Sequence, residues 1–353
     1  MLPTKIAMSQ VRSSLQSINL CWLIASATTH LLLCSTPCRA FACATFARTT
    51  SITPMASNAH SSNSNMRHSS SMLSSSKSLI VHFPKAKSVQ PGTSPVEEQE
   101  KRNPIDETCN ILVVGGNRGI GLEFVNQCLT SGATVIATHR SEDIPSDLES
   151  LQTKHPQKFH SIQMDLSSET SIENAASNLR DMNLGPLTHI IHNAGIYLPG
   201  TSFDGTPKGP RDAAPKVDKE TLMKTYEINT VAPLLVAQNF VGLMGKRSEA
   251  LYPVYSFISS KVGSVDDNGS GGAYAYRSSK SALNNIAKSL SADLADTIRV
   301  VLLHPGWVKT DMTGGKGLID TNTSVRGMLN AVESTDSSTS FRFVDYKACQ
   351  IPW

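Results

Sequence analysis

No aspartate or glutamate occurs before Glu97 in this 353-residue chain, and that absence divides it in two. The first 96 residues carry eight Lys or Arg and 20 Ser, with serine runs at Ser69 to Ser71 and Ser74 to Ser76. Such a composition cannot bury enough apolar surface to offset ordering entropy, which excludes a second packed domain there. A membrane span is lacking too: the longest apolar run of this part, Leu20 to Cys34, covers 15 residues and is interrupted by His30, whereas a span needs roughly 20. No CxxC and no zinc-spaced Cys/His pair occurs, and four of the seven cysteines (Cys21, Cys34, Cys38, Cys43) lie in the acid-free part. A disulfide scaffold and a structural zinc site are therefore not expected; Cys128 reads as a small core residue on a helix. Nor is there a basic excess after residue 96, where 24 basic face 29 acidic groups, a net of −5. Nucleic acid and anionic membrane surfaces need clustered Lys and Arg, so neither is an expected partner.

Residues 1 to 105 read as a disordered or cleaved targeting leader. Lys5 and Arg12 precede the apolar run and Ala40, Ala42 and Ala44 follow it, as around a signal-peptide h-region; a basic, hydroxyl-rich stretch like an organellar transit peptide comes next. The two parts together resemble the leaders of proteins of algae with secondary plastids. An organelle, the plastid first, is the expected location, with no membrane span in the mature form. The alternative is a start at Met55 or Met66 and a cytoplasmic protein.

From Cys109 the pattern becomes short β-branched runs separated by helical periodicity, which predicts βαβ units and a parallel sheet. Strands are expected at Ile111 to Val114, Ala133 to Thr138, Phe159 to Met164, Leu187 to His192, Leu251 to Ile258, Ile298 to Leu303 and Phe341 to Val344. Helices are expected after Gly121 up to Gly132, near Glu169 to Met182, along Lys219 to Met244 and along Tyr276 to Leu294. Residues 106 to 353 thus form a single Rossmann-like, doubly wound α/β domain with a mostly parallel sheet of about seven strands.

Four groups of residues carry chemistry. Gly115, Gly119 and Gly121 stand between a strand and a helix, where backbone can approach a pyrophosphate on the helix N-terminus; alone, such a run is also an ordinary tight turn. The end of strand two reads Ala137-Thr138-His139-Arg140, without the carboxylate that holds a ribose 2′-hydroxyl. Arg118 and Arg140 can pair with a 2′-phosphate there, which favours NADP(H), although Glu142 and Asp143 follow closely. Tyr276 and Lys280 lie one helical turn apart, and a cation beside a phenol brings its proton within reach of neutral pH. Such pairs also occur on solvated helix surfaces, and Tyr274, with no lysine four residues on, is the weaker candidate. Ser259 and Ser260 close a strand at the sheet's carboxyl edge, where a hydroxyl can polarise a carbonyl oxygen or merely cap the strand.

Together these motifs resemble the short-chain dehydrogenase/reductase family, and within it the C-factor and sniffer-type carbonyl reductases. The likeness rests on Val114 to Gly121, His192-Asn-Ala-Gly195, Ile258-Ser-Ser260, Tyr276-Arg-Ser-Ser-Lys280, His304-Pro-Gly-Trp-Val-Lys-Thr-Asp-Met312 and the closing Ile351-Pro-Trp353. The resemblance implies a general acid at Tyr276, a lysine at Lys280 that also holds the nicotinamide ribose, a carbonyl-polarising Ser260, and Asn229 keeping a water in the proton relay. It implies cofactor contacts from Gly115, Asn117, Arg118, Gly119, Ile120 and Gly121. Further contacts fall on Arg140, Asp165, Leu166, Asn193, Ala194, Gly195, Tyr276, Lys280, Pro305, Gly306, Val308 and Thr310. It also implies a small-molecule carbonyl substrate and a homodimer. Val114 stands where the family has Thr, so one loop hydrogen bond must be missing or replaced, and His192 stands where many members have Asn. Residues 199 to 215 form a Gly/Pro-rich insertion, a flap or a loose loop, near the substrate entrance. The competing reading is a nucleotide-binding signalling protein that uses the same fold without turnover.

Overall fold

The computed structural model describes residues 103–198, 202–206, 216–246, 252–336 and 338–353. The leader expected before residue 106 lies almost wholly outside them, as does the 199 to 215 insertion apart from residues 202 to 206.

Seven strands form one sheet: β1 (Asn110–Val114), β2 (Thr134–His139), β3 (Phe159–Gln163), β4 (His189–His192), β5 (Val254–Ile258), β6 (Arg299–His304) and β7 (Arg342–Asp345). Their order is β3-β2-β1-β4-β5-β6-β7, and all six pairings are parallel. The central strands are largely apolar because both faces are covered. Ile111, Val113, Val135, Ala137, Val301 and Leu303 join a core with α1 (Gly119–Thr130), α2 (Ser146–Lys154) and α7 (Thr321–Glu333). Leu112, Val114, Ile136, Ile190, Phe257 and Leu302 join a second core with α3 (Glu169–Asp181), α5 (Ala232–Phe240) and α6 (Tyr274–Asp293). The chain runs outward from β1 to β3 and then returns to β4 beside β1. This reversal opens a crevice at the carboxyl ends of β1 and β4, where doubly wound sheets bind ligands.

The expected strands all form. The long helix expected over Lys219 to Met244 does not: it is α4 (Lys219–Tyr226), a π turn (Glu227–Val231), α5 and a 3-10 turn (Val241–Leu243). Pro233 is the cause. In an α-helix its N–H would serve the Asn229 carbonyl four residues back, and proline has none. The register slips instead, with the Ala232 N–H bonding the Glu227 carbonyl. Helix α6 begins two residues earlier than expected, after Gly271, Gly272 and Ala273, all in the left-handed region. Helices α2 and α7 are not anticipated by the sequence reading. Asp320 caps α7 by accepting from the Thr323 N–H at 2.7 Å. Among the described residues no helix is long and apolar enough to cross a membrane.

Candidate active site

Three carboxyl-edge segments, following β1, β4 and β5, and helix α6 converge on the crevice. In the turn after β1, Gly115 and Gly119 have φ of +76° and +54°, a conformation that favours glycine. A Cβ on Gly121 would lie 2.0 Å from the Gly115 carbonyl oxygen, so only glycine fits. The turn is tied to β2: Thr138 Oγ1 accepts from the Gly115 N–H at 3.0 Å, and the Thr138 carbonyl accepts from the Gly116 N–H at 3.0 Å. Asn193 Nδ2 donates to the Gly115 carbonyl at 2.9 Å, tying the β4 segment to the same turn. The first turn of α1 contains no acidic side chain, and Arg118, its extended N-cap, makes no side-chain cap. Those N–H groups and the helix dipole suit an anion.

Arg118 and Arg140 are both exposed. Arg118 Nη1 lies 3.5 Å from Asp311 Oδ2, with both side chains largely in solvent, a pair of little energetic weight. Asp165 and Leu166 follow β3. The backbone N–H of Ser167, its hydroxyl and the Arg140 charge hold the Asp165 carboxyl below its ordinary pKa, and Leu166 packs on the α3/α5/α6 core. Asn117 and Ile120 are half-buried in the glycine turn. From β6, Pro305 accepts from the Ser324 hydroxyl at 2.6 Å, Gly306 has φ +80°, and Val308 bridges to Ile319. Thr310 comes closest to the glycine turn: a Cβ built on Gly119 would sit 3.6 Å from its Cγ2.

The two serines at the end of β5 separate cleanly. Ser259 Oγ donates to Asn284 Oδ1 at 2.6 Å inside the fold. Ser260 caps the 3-10 turn Lys261–Gly263 with only a long bond, 3.4 Å, from the Val262 N–H. Gly263 lets this turn press onto α6, since a Cβ there would meet Lys280 Cβ at 2.8 Å. Lys280 is buried at 3 % exposure. Its Nζ donates to the Ile258 carbonyl at 2.9 Å and stands 5.8 Å from the centre of the Tyr276 ring. Burial pushes its pKa down to about 8.

Asn229 sits fully buried in the π turn. Its Oδ1 accepts from the Ile196 N–H at 2.8 Å, and its Nδ2 donates to the Ile196 carbonyl at 2.9 Å and to Ser279 Oγ at 3.1 Å. Ser279 in turn donates to the Tyr276 carbonyl at 2.9 Å. Gly195 runs between these groups: a Cβ on it would lie 3.2 Å from Asn229 Oδ1 and 3.3 Å from Lys280 Nζ. The neighbouring Ala194 packs on the α3/α5/α6 core.

The structure thus gathers Ser260, Tyr276, Lys280 and Asn229 around the crevice and lays the glycine turn along its other side. Two residues at this site are absent from the sequence reading. Tyr197 lays its ring 5.0 Å from that of Tyr276, and Ser279 couples Asn229 to the Tyr276 backbone. Ser279 left one signal, a small polar residue three positions after Tyr276 on the inward helix face; Tyr197 left none beyond its place after Asn193-Ala-Gly195. A nicotinamide dinucleotide phosphate fits the groups present: an uncapped helix start for the pyrophosphate, exposed arginines at the ribose position, and a buried lysine at the inner end.

A family model described as short chain dehydrogenase matches residues 109–318. The chain belongs to that family. C-signal of Myxococcus xanthus is 39% identical over 170 residues, which cover 48% of this chain and 94% of that protein. Among solved structures of the family, the carbonyl reductase Sniffer of D. melanogaster is 31% identical with a TM-score of 0.60, over 69% of this chain and 99% of that one. The NADPH bound carbonyl reductase from chicken fatty liver is 30% identical with a TM-score of 0.62, over 69% and 98% of the two chains. The resemblance to C-factor and sniffer-type members of the short chain dehydrogenase family is borne out by these relatives.

Proposed function

We propose that this member of the family is an NADP(H)-dependent carbonyl reductase, converting an aldehyde or ketone to an alcohol. The observation that carries the reading is the buried Lys280 ammonium 5.8 Å from the Tyr276 ring, on the helix against which the Ser260 turn packs. A nicotinamide cofactor held along the glycine turn would supply a hydride, a proton with two electrons, to the carbonyl carbon and be oxidised in doing so. Ser260 donates a hydrogen bond to the carbonyl oxygen, whose negative charge grows as the carbon is reduced. Tyr276 gives that oxygen its proton and becomes a phenolate, which the Lys280 cation stabilises. The Asn229 amide is fully used by Ile196 and Ser279. Its main-chain carbonyl, deprived by Pro233 of an α-helical donor, is the atom that can accept from a water returning the proton to Tyr276.

The neighbouring carbonyl reductases, two of which carry NADPH or NADP, support the choice of cofactor, as do Arg118 and Arg140. A signalling protein on the same fold is the second reading, favoured by the relative named C-signal; a complete acid-and-relay set has no use in a pure binder. The test is NADPH oxidation by the full chain against a panel of aldehydes and ketones, with Tyr276→Phe as control. Turnover lost in that variant with NADPH binding retained is the expected result; equal turnover would reject the assignment. We further propose a homodimer, checked by sedimentation, and import into an organelle directed by residues 1 to 105. A fluorescent fusion of those residues that stays diffuse in the cytosol would end the import proposal.

A further inference from the structure

The Ser260 hydroxyl accepts one long bond, from the Val262 N–H at 3.4 Å, so its aim depends on how firmly the turn it caps is held. That turn is closed by main-chain bonds: the Gly263 N–H donates to the Ser260 carbonyl at 2.8 Å and the Ser264 N–H to the Lys261 carbonyl at 3.0 Å. Helix α6 grips one side of it. Arg277 donates to the Val262 carbonyl at 3.1 Å, and the Ser281 hydroxyl to the Gly263 carbonyl at 2.7 Å.

A second grip comes from the residues that follow β7. Past that strand the chain reverses in a turn tied to the Asp345 carboxylate, which accepts from the Lys347 and Cys349 N–H groups at 2.9 Å each. It then runs back beside β7: Gln350 bridges to Val344 in the antiparallel sense, and the Ile351 N–H donates to the Phe343 carbonyl at 2.8 Å. This return brings Trp353 to the Ser260 turn. The Trp353 main-chain oxygen accepts from the Ser264 hydroxyl at 3.1 Å and from the Asp266 N–H at 2.8 Å. Ser264, only 1% exposed, also accepts from the Asp267 N–H at 3.1 Å, and the Asp267 carboxylate pairs with Lys261 Nζ at 3.4 Å. The stretch from Lys261 to Asp267 is thus one bonded unit joined to Trp353.

Those bonds use the main chain of Trp353, and the indole fixes where that main chain lies. Its ring stacks on Phe341 at 5.3 Å and 8° and meets Phe343 at 6.1 Å, while Lys288 Nζ of α6 stands 5.2 Å from the centre of the same Phe341 ring. At 47% exposure Trp353 is no core residue; what it joins is β7 and the Ser260 turn.

We propose that Trp353 is a positioning residue for Ser260: its ring, locked against Phe341 and Phe343, holds in place the main-chain oxygen that keeps the turn, and with it the serine hydroxyl, at the crevice. This rests on the reductase reading for the carbonyl that the serine polarises, while the clamp itself stands on the bonds just given. A reacting group misplaced by about 1 Å can lose roughly 100-fold in rate, so a loosened turn reaches the chemistry.

The experiment uses the full chain, NADPH and the aldehyde or ketone of the panel that is turned over fastest, with Trp353→Ala, Trp353→Phe, Ser260→Ala and the double variant Trp353→Ala, Ser260→Ala. kcat should fall at least about tenfold in Trp353→Ala with KM for NADPH within about twofold, and should return to within about threefold of the parent in Trp353→Phe, whose ring keeps the stack. Because the effect runs through the serine, the double variant should be no slower than Ser260→Ala alone. Amide hydrogen exchange should quicken across residues 261 to 267 in Trp353→Ala and not in Trp353→Phe. Ser264→Ala, which removes a donor from the turn's side of the clamp, should show the same loss of rate and of protection, and it decides the matter where Trp353→Ala does not fold. A chain that turns over no carbonyl yet shows this exchange pattern would reject the reductase reading and support the clamp. Unchanged exchange, a kcat equal to the parent's, or a further fall in kcat when Trp353→Ala is added to Ser260→Ala would overturn the proposal.

Discussion

The Lys280 ammonium and the Tyr276 ring lie 5.8 Å apart, and the cation is held there at a cost in stability. Burial depresses its pKa from 10.5 to about 8, so between those values the unfolded chain binds the proton that the folded chain has released. Stability tied to this group therefore rises with pH across that window and is lowest below about pH 8, where the buried ammonium is fully charged. Lys280→Met, similar in size and uncharged, should stabilise the fold by roughly 1 to 3 kcal/mol at neutral pH. That gain should shrink as pH climbs from about 8 toward 10.5. The same variant should lose at least about 100-fold in kcat, because nothing then stabilises the phenolate. Urea titrations at several pH values test this; a destabilised Lys280→Met at pH 7 would mean that the ammonium has a partner strong enough to offset its burial.

Ser259 and Ser260 predict opposite phenotypes. Ser259→Ala leaves Asn284 Oδ1 buried without its 2.6 Å donor and should cost about 1 to 3 kcal/mol in stability, with kcat within a few-fold of the parent. Ser260→Ala gives up only the 3.4 Å contact with Val262. It should leave stability within about 0.5 kcal/mol and lower kcat by roughly 100-fold or more. Denaturation and steady-state rates on both variants decide the matter, and the reverse pattern would move the carbonyl donor to Ser259.

The expected sheet was legible because strands covered on both faces are continuous apolar runs, as in Ile111 to Val114 and Val300 to Leu303. The glycine turn was legible because Gly121 leaves no room for a Cβ. The break in the helix around Asn229 was not read, although Pro233 was in plain view, because apolar periodicity continues through a one-residue slip. Helix α2 escaped for a different reason: Leu148 is its only buried residue, too little for a periodic signal. Tyr197 and Ser279 were invisible because their roles are tertiary contacts with Tyr276 and Asn229, which no local pattern records. Thr138 shows the same thing from another strand, since its hydroxyl holds the Gly115 N–H from β2 and no local pattern in the glycine turn records it.

Arg118 and Arg140 should govern the choice between cofactors. Both are exposed, and among the described residues Arg118 pairs with the distant Asp311 carboxylate, so neither contributes much to the fold. The double variant Arg118→Ala, Arg140→Ala should keep its melting temperature and raise KM for NADPH at least tenfold, with little change for NADH, because only the phosphorylated ribose uses a bidentate guanidinium. Parallel changes with the two cofactors would remove these residues from the site.

Buried imidazoles make the fold sensitive to acid: besides the two on β4, His304 at the end of β6 is held at about 4 by its burial. His189 and His192 are buried on β4, and burial holds their pKa values at about 4 and about 3, with the Lys280 charge adding to the effect on His192 and Asp106 opposing it on His189. Neither His192 ring nitrogen finds a hydrogen-bond partner among the described residues. Both groups are therefore neutral when folded and take up protons near pH 6.5 when unfolded. Their contribution is complete above pH 6.5 and is lost as pH falls toward 4, at roughly 2 to 3 kcal/mol per pH unit when both act. Urea midpoints should drop steeply between about pH 7 and pH 5. His192→Phe, whose ring can keep the stack on Phe257 seen at 5.8 Å, should remove about a third of the slope that the three imidazoles give together; an unchanged slope would show that His192 is protonated in the native state.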